Sequence, residues 1–345
     1  MSAVAPEAPI SPDAPASSKA PTSSEAPTSP QAADPAEASD PWRPFGPCTT
    51  AACVEAAAAV AGPVQLAVRL VAAFLVLLAG VPLSLVGRMR AAWRTELTMA
   101  WARLLLRSLG VRLEITAPES SAAPETRAAP EAGGAPQTGP APGFGTGPGI
   151  GTGPERGALV VANHVSWLDP LVLAATLPSR LLAKREIGEW PVIRTLAAGS
   201  GVLFIDRERL SALPSAVAAV ADALRAGDTV VAFPEGTTWC GRGMGRFRPA
   251  VFQAAVDAGA TVRPATLRYR EGAVTSTRAC YVGEDSLLAS IVRVAATRDL
   301  AVEVTLFAPV RPAAPTSTRP EARAALARIA ESRVRANMLE PHDHR

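Results

Sequence analysis

From residue 157 onward short apolar runs alternate with segments of helical periodicity, and this alternation narrows the fold more than any other feature of the 345-residue chain. The runs are 158–162, 180–183, 201–205, 229–233, 262–267, 279–282 and 302–307. Between them, 168–177, 213–226, 247–258 and 286–296 carry apolar residues at helical spacing. Strands alternating with helices imply an α/β domain with a largely buried sheet. Catalytic groups in such folds usually sit where strands end and helices begin.

Proline marks what lies outside that domain. Of 33 prolines, eleven fall in residues 1–47 and eight in 118–156. Residues 1–47 alternate Ala, Pro, Ser and acids with almost no large apolar residue, so burial cannot offset the entropy of ordering them. A disordered Pro/Ala-rich tail over 1–63 is expected, without the early basic and apolar regions of a secretory signal. Residues 111–156 read as a short strand followed by a flexible Pro/Gly-rich inserted loop. That loop has no GxGxxG frame, and its prolines lack the amides that a phosphate cradle uses. The main domain then covers 157–315, and 316–345 reads as a C-terminal helix and tail.

Residues 70–87 (LVAAFLVLLAGVPLSLVG) form an uncharged apolar run. It is at the lower limit for crossing a bilayer core, where about 20 residues are expected. The next segment, 91–109, places Trp93, Leu97, Trp101, Leu104 and Leu105 opposite Arg94, Arg103 and Arg107, the pattern of a helix lying in the headgroup layer. A membrane-associated helix pair over 64–110 is therefore expected. The excess of arginine after the run and of acids before it puts the C-terminal side at the cytoplasmic face.

The net charge is only +3, and a DNA-binding reading is poorly supported. By segment the charge is −5 over 1–63, +5 over 64–117, −2 over 118–156 and +5 over 157–345. Basic membrane-proximal and catalytic regions suit anionic lipid surfaces and phosphorylated substrates. The four cysteines form no CxxC pair, so reduced thiols and no metal site are the expectation. His342 and His344 lie in the last four residues, which leaves His164 as the histidine within the folded part.

Four motifs carry candidate chemistry. In Asn163-His164-Val165-Ser166-Trp167-Leu168-Asp169-Pro170, a His ends a strand and an Asp follows in the first turn of the next helix. That spacing lets the carboxylate hold one imidazole nitrogen and leaves the other to act as a general base. The same spacing also suits a simple helix cap. In Gly201-Val202-Leu203-Phe204-Ile205-Asp206-Arg207, the guanidinium at a strand end suits a phosphate, and equally a surface ion pair. Phe233-Pro234-Glu235-Gly236-Thr237-Thr238 gives a tight turn whose amides can face an anion, or a plain connection. Val262-Arg263-Pro264-Ala265-Thr266-Leu267 is a proline-interrupted strand that says nothing alone.

Together and in this order, NHVSWLD, GVLFIDR, FPEGT and VRPATL resemble the four sequence blocks of the glycerolipid acyltransferase family, which includes the 1-acyl-sn-glycerol-3-phosphate acyltransferases. The resemblance covers about residues 157–310 and extends more loosely to the helices upstream. It implies a mixed sheet flanked by helices. It also implies transfer of a fatty acyl group from acyl-CoA or acyl carrier protein to a lysolipid hydroxyl, with membrane lipids as partners and no cofactor. On that basis His164 is the expected base and Asp169 its orienting acid. Arg207 is expected to hold the acceptor's phosphate, with Lys184 nearby. Glu235, Gly236 and Thr237 are expected to bind and position the acceptor, and Pro264 to shape a pocket. Oxyanion donors are expected among amides near NHVSW.

One departure concerns the acceptor. Many family members using a glycerol phosphate acceptor continue FPEG with Thr-Arg, whereas this chain reads Thr237-Thr238-Trp239-Cys240. That favours a lysophospholipid or other lysolipid unless Arg242, Arg246 or Arg248 replaces the charge. Two other readings are a hydrolase, whose GxSxG frame is missing, and a non-catalytic membrane lipid-binding protein, which has no reason to keep His, Asp, Arg and Glu in four ordered blocks.

Overall fold

The structure, a computed structural model, describes residues 46–87, 91–116, 157–185, 201–205, 210–312 and 318–339, all within the unit Pro44–Arg345. The expected tail over 1–45, the inserted loop at 118–156, Arg207, His342 and His344 lie outside the described residues.

One sheet organises the molecule. Its strands are β1 (Arg112–Thr116), β2 (Ala158–Ala162), β3 (Arg180–Lys184), β4 (Leu203–Ile205), β5 (Val230–Ala232), β6 (Thr261–Glu271), β7 (Val274–Thr275) and β8 (Leu300–Leu306). Their spatial order is β1-β8-β6-β2-β5-β3-β4, with β7 paired to β6. β2 through β6 run parallel, while β8 is antiparallel to β6 and parallel to β1. The sheet is therefore mixed. Pro264 stands inside β6 opposite Val161. The strand tolerates it because the β6–β8 ladder begins only at Ala265; one residue earlier no β8 partner requires an amide.

Both faces are covered, and strand periodicity sorts the side chains. On β2, Val160 and Ala162 join one apolar cluster and Leu159 and Val161 the other. The first cluster takes in α3 (Ala91–Ser108), α4 (Asp169–Thr176) and α7 (Leu287–Ala296). The second takes in α5 (Leu213–Arg225), α6 (Phe252–Ala258) and the C-terminal α8 (Arg319–Leu339), whose Leu326, Ala330 and Val334 are buried.

Several expectations are corrected. Ala279, Cys280 and Val282 are buried, and Tyr281 half-buried, but the segment forms no strand. The Tyr281 amide donates to the Val165 carbonyl, and the Tyr281 carbonyl accepts from the Thr238 hydroxyl, so their bonds go to loops. The helix expected from 247 starts at Phe252. Residues 46–62, assigned by composition to the tail, lie on the domain and include the short α1 (Thr50–Cys53). They are held by backbone bonds that composition does not register: Ala61 to Ala296, Arg298 to Ala59, and Glu55 to the Thr277 hydroxyl.

The pair over 64–110 divides into two different helices. α2 (Pro63–Gly87) is the one described helix long and apolar enough to cross a membrane. Its Val64, Val68, Val71, Phe74, Leu75 and Leu78 are exposed. In α3 one apolar side turns inward instead: Ala102, Leu105 and Leu106, with Leu109 just after the helix, are buried in the domain core. A membrane-seated pair is therefore not shown: α3 packs against α4 and the core along this side, while Leu104 stays exposed.

Candidate active site

β2 ends at Ala162, and the next two residues set the site. Asn163 acts as a surrogate strand residue: its side chain accepts from the Leu267 amide at 2.8 Å and donates to the Leu267 carbonyl at 2.9 Å. That fastens the end of β2 to β6. His164 follows on the face of Val160 and Ala162, and its ring stacks on Phe233 at a centroid distance of 4.2 Å.

Asp169, at the start of α4, is fully buried, with four donors on its carboxylate. Oδ2 meets His164 Nδ1 at 2.8 Å and accepts the Val165 and Ser166 amides at 2.6 and 2.8 Å. Oδ1 accepts the Tyr269 hydroxyl at 2.7 Å. The carboxylate offers only acceptors, so the imidazole donates through Nδ1 and its Nε2 carries the lone pair. The His164 side chain keeps 18% of its exposure while Asp169 keeps none. An oriented imidazole at the edge of solvent, backed by a buried acid, can take a proton from a bound hydroxyl.

The FPEG turn faces this pair. The Gly236 amide donates back to the Phe233 carbonyl, and Gly236 adopts φ of 79°, a left-handed conformation that favours glycine. Glu235 is buried, and its two oxygens accept the His164 and Gly245 amides, both at 2.7 Å. Burial is the largest influence on its carboxyl and pushes it from an ordinary 4.5 up to about 8, against the pull of those two amides. Glu235 therefore ties the segment carrying His164 to the 244–247 loop. The Trp239 amide adds a bond of 2.8 Å to the His164 carbonyl.

The expected site residues fall into three groups. His164, Asp169, Glu235 and Gly236 come together, with half-buried Thr237 next in the same turn. Lys184 ends β3 in register with Ile205 of β4, on the same end of the sheet; Arg207 lies outside the described residues. Pro264 is buried within the sheet two positions before Thr266, and its carbonyl accepts from the Phe307 amide. The His164, Val165 and Ser166 amides expected as oxyanion donors are already taken by Glu235 and Asp169. Arg242, considered as a replacement charge, is paired with Glu55.

Tyr269 was missed by the sequence reading. Its signal is faint: it shares the inward face of β6 with Ala265 and Leu267, and a hydroxyl on such a face needs a partner.

A half-buried His backed by a buried Asp at the end of a central parallel strand, with a glycine turn beside it, defines an α/β enzyme built for general-base chemistry. Comparisons with known proteins narrow the class. The acyltransferase family model matches residues 148–268. A lyso-ornithine lipid O-acyltransferase of Brucella abortus is 32% identical over 191 residues, covering 52% of this chain and 70% of that protein. A 1-acyl-sn-glycerol-3-phosphate acyltransferase of Neisseria gonorrhoeae is 43% identical over 113 residues, 33% of this chain and 44% of that protein. The match thus spans under half the length of the Neisseria relative. Among solved structures, the 1-acyl-sn-glycerophosphate acyltransferase PlsC of Thermotoga maritima superposes with a TM-score of 0.51 at 15% identity, covering 78% of this chain and 94% of that one. The fold is thus PlsC-like. The chain belongs to the acyltransferase family.

Proposed function

We propose that this protein moves a fatty acyl group from a thioester donor, acyl-CoA or acyl carrier protein, to the hydroxyl of lysophosphatidic acid or a related lysolipid in phospholipid biosynthesis. The observation that carries this reading is the His164–Asp169 pair, whose Nε2 is left as the base. In the reaction the acceptor hydroxyl oxygen attacks the thioester carbonyl while His164 Nε2 takes its proton. The C–O bond forms, the C–S bond breaks, and the proton passes from His164 to the departing thiolate. A thioester is already activated, so neither a cofactor nor a covalent nucleophile is needed.

Acceptor choice rests on the region after FPEG. The missing arginine there, the engagement of Arg242 by Glu55, and relatives named for lyso-ornithine lipid support an acceptor outside the lysophosphatidic acid class. Membrane seating is proposed through α2 at the cytoplasmic face. Three hydrogen bonds favour a helix lying on the domain with one side in lipid over a helix that leaves it to span. Arg69 donates to the Ala295 and Thr297 carbonyls at 2.8 and 2.9 Å, and Trp101 Nε1 donates to the Val76 carbonyl at 2.8 Å.

The test is a transfer assay with acyl-CoA and a panel of lysolipids, following free thiol and acylated product together. His164→Ala is expected to lower transfer by about 10²–10⁴, the usual contribution of a positioned base. Full activity in that variant would remove the proposed base, and thiol release without acylated product would indicate a hydrolase.

A further inference from the structure

Folding gathers all four cysteines of the chain. Cys48 and Cys53 lie at either end of the α1 segment, Cys240 follows the FPEGTTW turn, and Cys280 lies in the loop after β7. The sulfurs of Cys48, Cys53 and Cys240 all lie within 4.8 Å of one another. Cys280 is fully buried and within electrostatic reach of both Cys240 and Cys53. None of the four is in a disulfide. Three separate stretches of sequence thus bring their thiols to one place.

Buried cysteines often act as small apolar residues, but four features here fit ligation better. Cys48 and Cys53 have C-x4-C spacing, within the range of zinc-binding pairs. Thr49 caps α1 by accepting the Ala52 amide, and the Cys53 amide bonds the Thr49 carbonyl, so a tight turn returns Cys53 beside Cys48. The Cys240 amide donates to the Cys48 sulfur and so fastens the loop after the FPEGTTW turn to the α1 segment. A zinc–sulfur distance of about 2.3 Å in a tetrahedron sets sulfurs about 3.8 Å apart, so Cys48, Cys53 and Cys240 need only a small contraction, and Cys280, outside their 4.8 Å group, would move in as the fourth ligand.

The segment is held mainly by hydrogen bonds, with little apolar anchorage for a staple to duplicate. Among residues 46–62 only Cys48 and Ala61 are buried, too little apolar surface to order that length of chain.

We propose that Cys48, Cys53, Cys240 and Cys280 form a closed structural site for one zinc-type divalent ion. Binding releases the thiol protons to solvent and changes no oxidation state. The ion touches no substrate. It would brace the active site through the backbone, because each loop cysteine adjoins a bond to the catalytic segment. The Trp239 amide holds the His164 carbonyl at 2.8 Å, and the Tyr281 amide holds the Val165 carbonyl at 3.0 Å.

The metal content of the full chain, purified without a histidine tag under reducing conditions, tests the site independently of any acyltransferase activity. One zinc per chain is expected. Cobalt exchanged into the protein should give the ligand-field bands of a tetrahedral tetrathiolate. Cys53→Ser should lose the metal, whereas Cys53→His, which keeps a zinc ligand, should retain it with unchanged circular dichroism. Stripping the ion should speed amide exchange at residues 164–166 and 239–241. Wild-type protein without stoichiometric zinc, iron with acid-labile sulfide, or an intact mass short by two hydrogens per disulfide would each overturn the site. Unchanged exchange at 164–166 after stripping would overturn the bracing.

Discussion

Asp169 and Glu235 are two buried carboxylates in one small site, and their surroundings give them different work. Asp169 has four donors, including the imidazole and a tyrosine hydroxyl, and orients His164. Glu235 has two backbone amides and little water, and burial moves its carboxyl up to about 8. The sign of the resulting linkage is fixed. In the folded chain Glu235 keeps a proton that the unfolded chain gives up above about 4.5, so raising the pH favours the unfolded form. Its contribution is fully present below about 4.5 and is lost as pH rises through about 8. Denaturant midpoints measured across that window should fall with pH in the wild type. In Glu235→Gln this part of the slope should vanish. The amide has one acceptor where the acid has two, so the variant should also leave the His164 or Gly245 amide unpaired, at a cost of about 1–3 kcal/mol.

At the scale of elements, α2 shows why an apolar run is read differently on its two sides. Leu66, Leu70, Ala73 and Val76 pack against the domain, while Val68, Val71 and Leu75 face outward. Full burial of a Val or Leu is worth roughly 1.5–3 kcal/mol. Replacing Val68, Val71 and Leu75 with serine should therefore weaken sedimentation with lipid vesicles by well over tenfold. The domain-facing side is untouched, so the domain's unfolding midpoint in detergent should stay near wild type; unchanged vesicle binding would argue against this face as the membrane contact. Helical periodicity in α3 was equally legible, but a buried apolar stripe and a lipid-facing one have the same spacing. Only the burial of Ala102, Leu105, Leu106 and Leu109 in the core separates them. Strands β2, β5, β6 and β8 were readable because alternation on a buried sheet is local. Residues 46–62 were not, since what holds them is pairing with residues more than 200 positions away.

On the scale of the whole molecule, the catalytic segment is held from both ends of the chain. From the N-terminal side, residues 46–55 lie on the loops that carry Trp239 and Tyr281. From the C-terminal side, α8 reaches the 244–247 loop: Glu331 accepts the Phe247 amide at 2.8 Å, and Arg335 donates to the Met244 and Gly245 carbonyls at 3.4 and 3.2 Å. Glu235 then joins that loop to His164. The motifs NHVSWLD and FPEGT were legible because each lies within a few consecutive residues. The supports were not, because Tyr269, Glu331 and the cysteines reach the site through tertiary folding alone. This arrangement makes α8 more than a cover for the sheet. Glu331→Ala removes the acceptor of the Phe247 amide and the partner of Arg335, an ion pair of 2.9 Å. Removing one partner of a buried bond costs about 1–3 kcal/mol, to be read from the denaturant midpoint. Because the 244–247 loop also holds Glu235, amide exchange should quicken at Gly245 and at His164 together. A stability loss with exchange quickened at Phe247 alone would mean that α8 supports the fold without supporting the site.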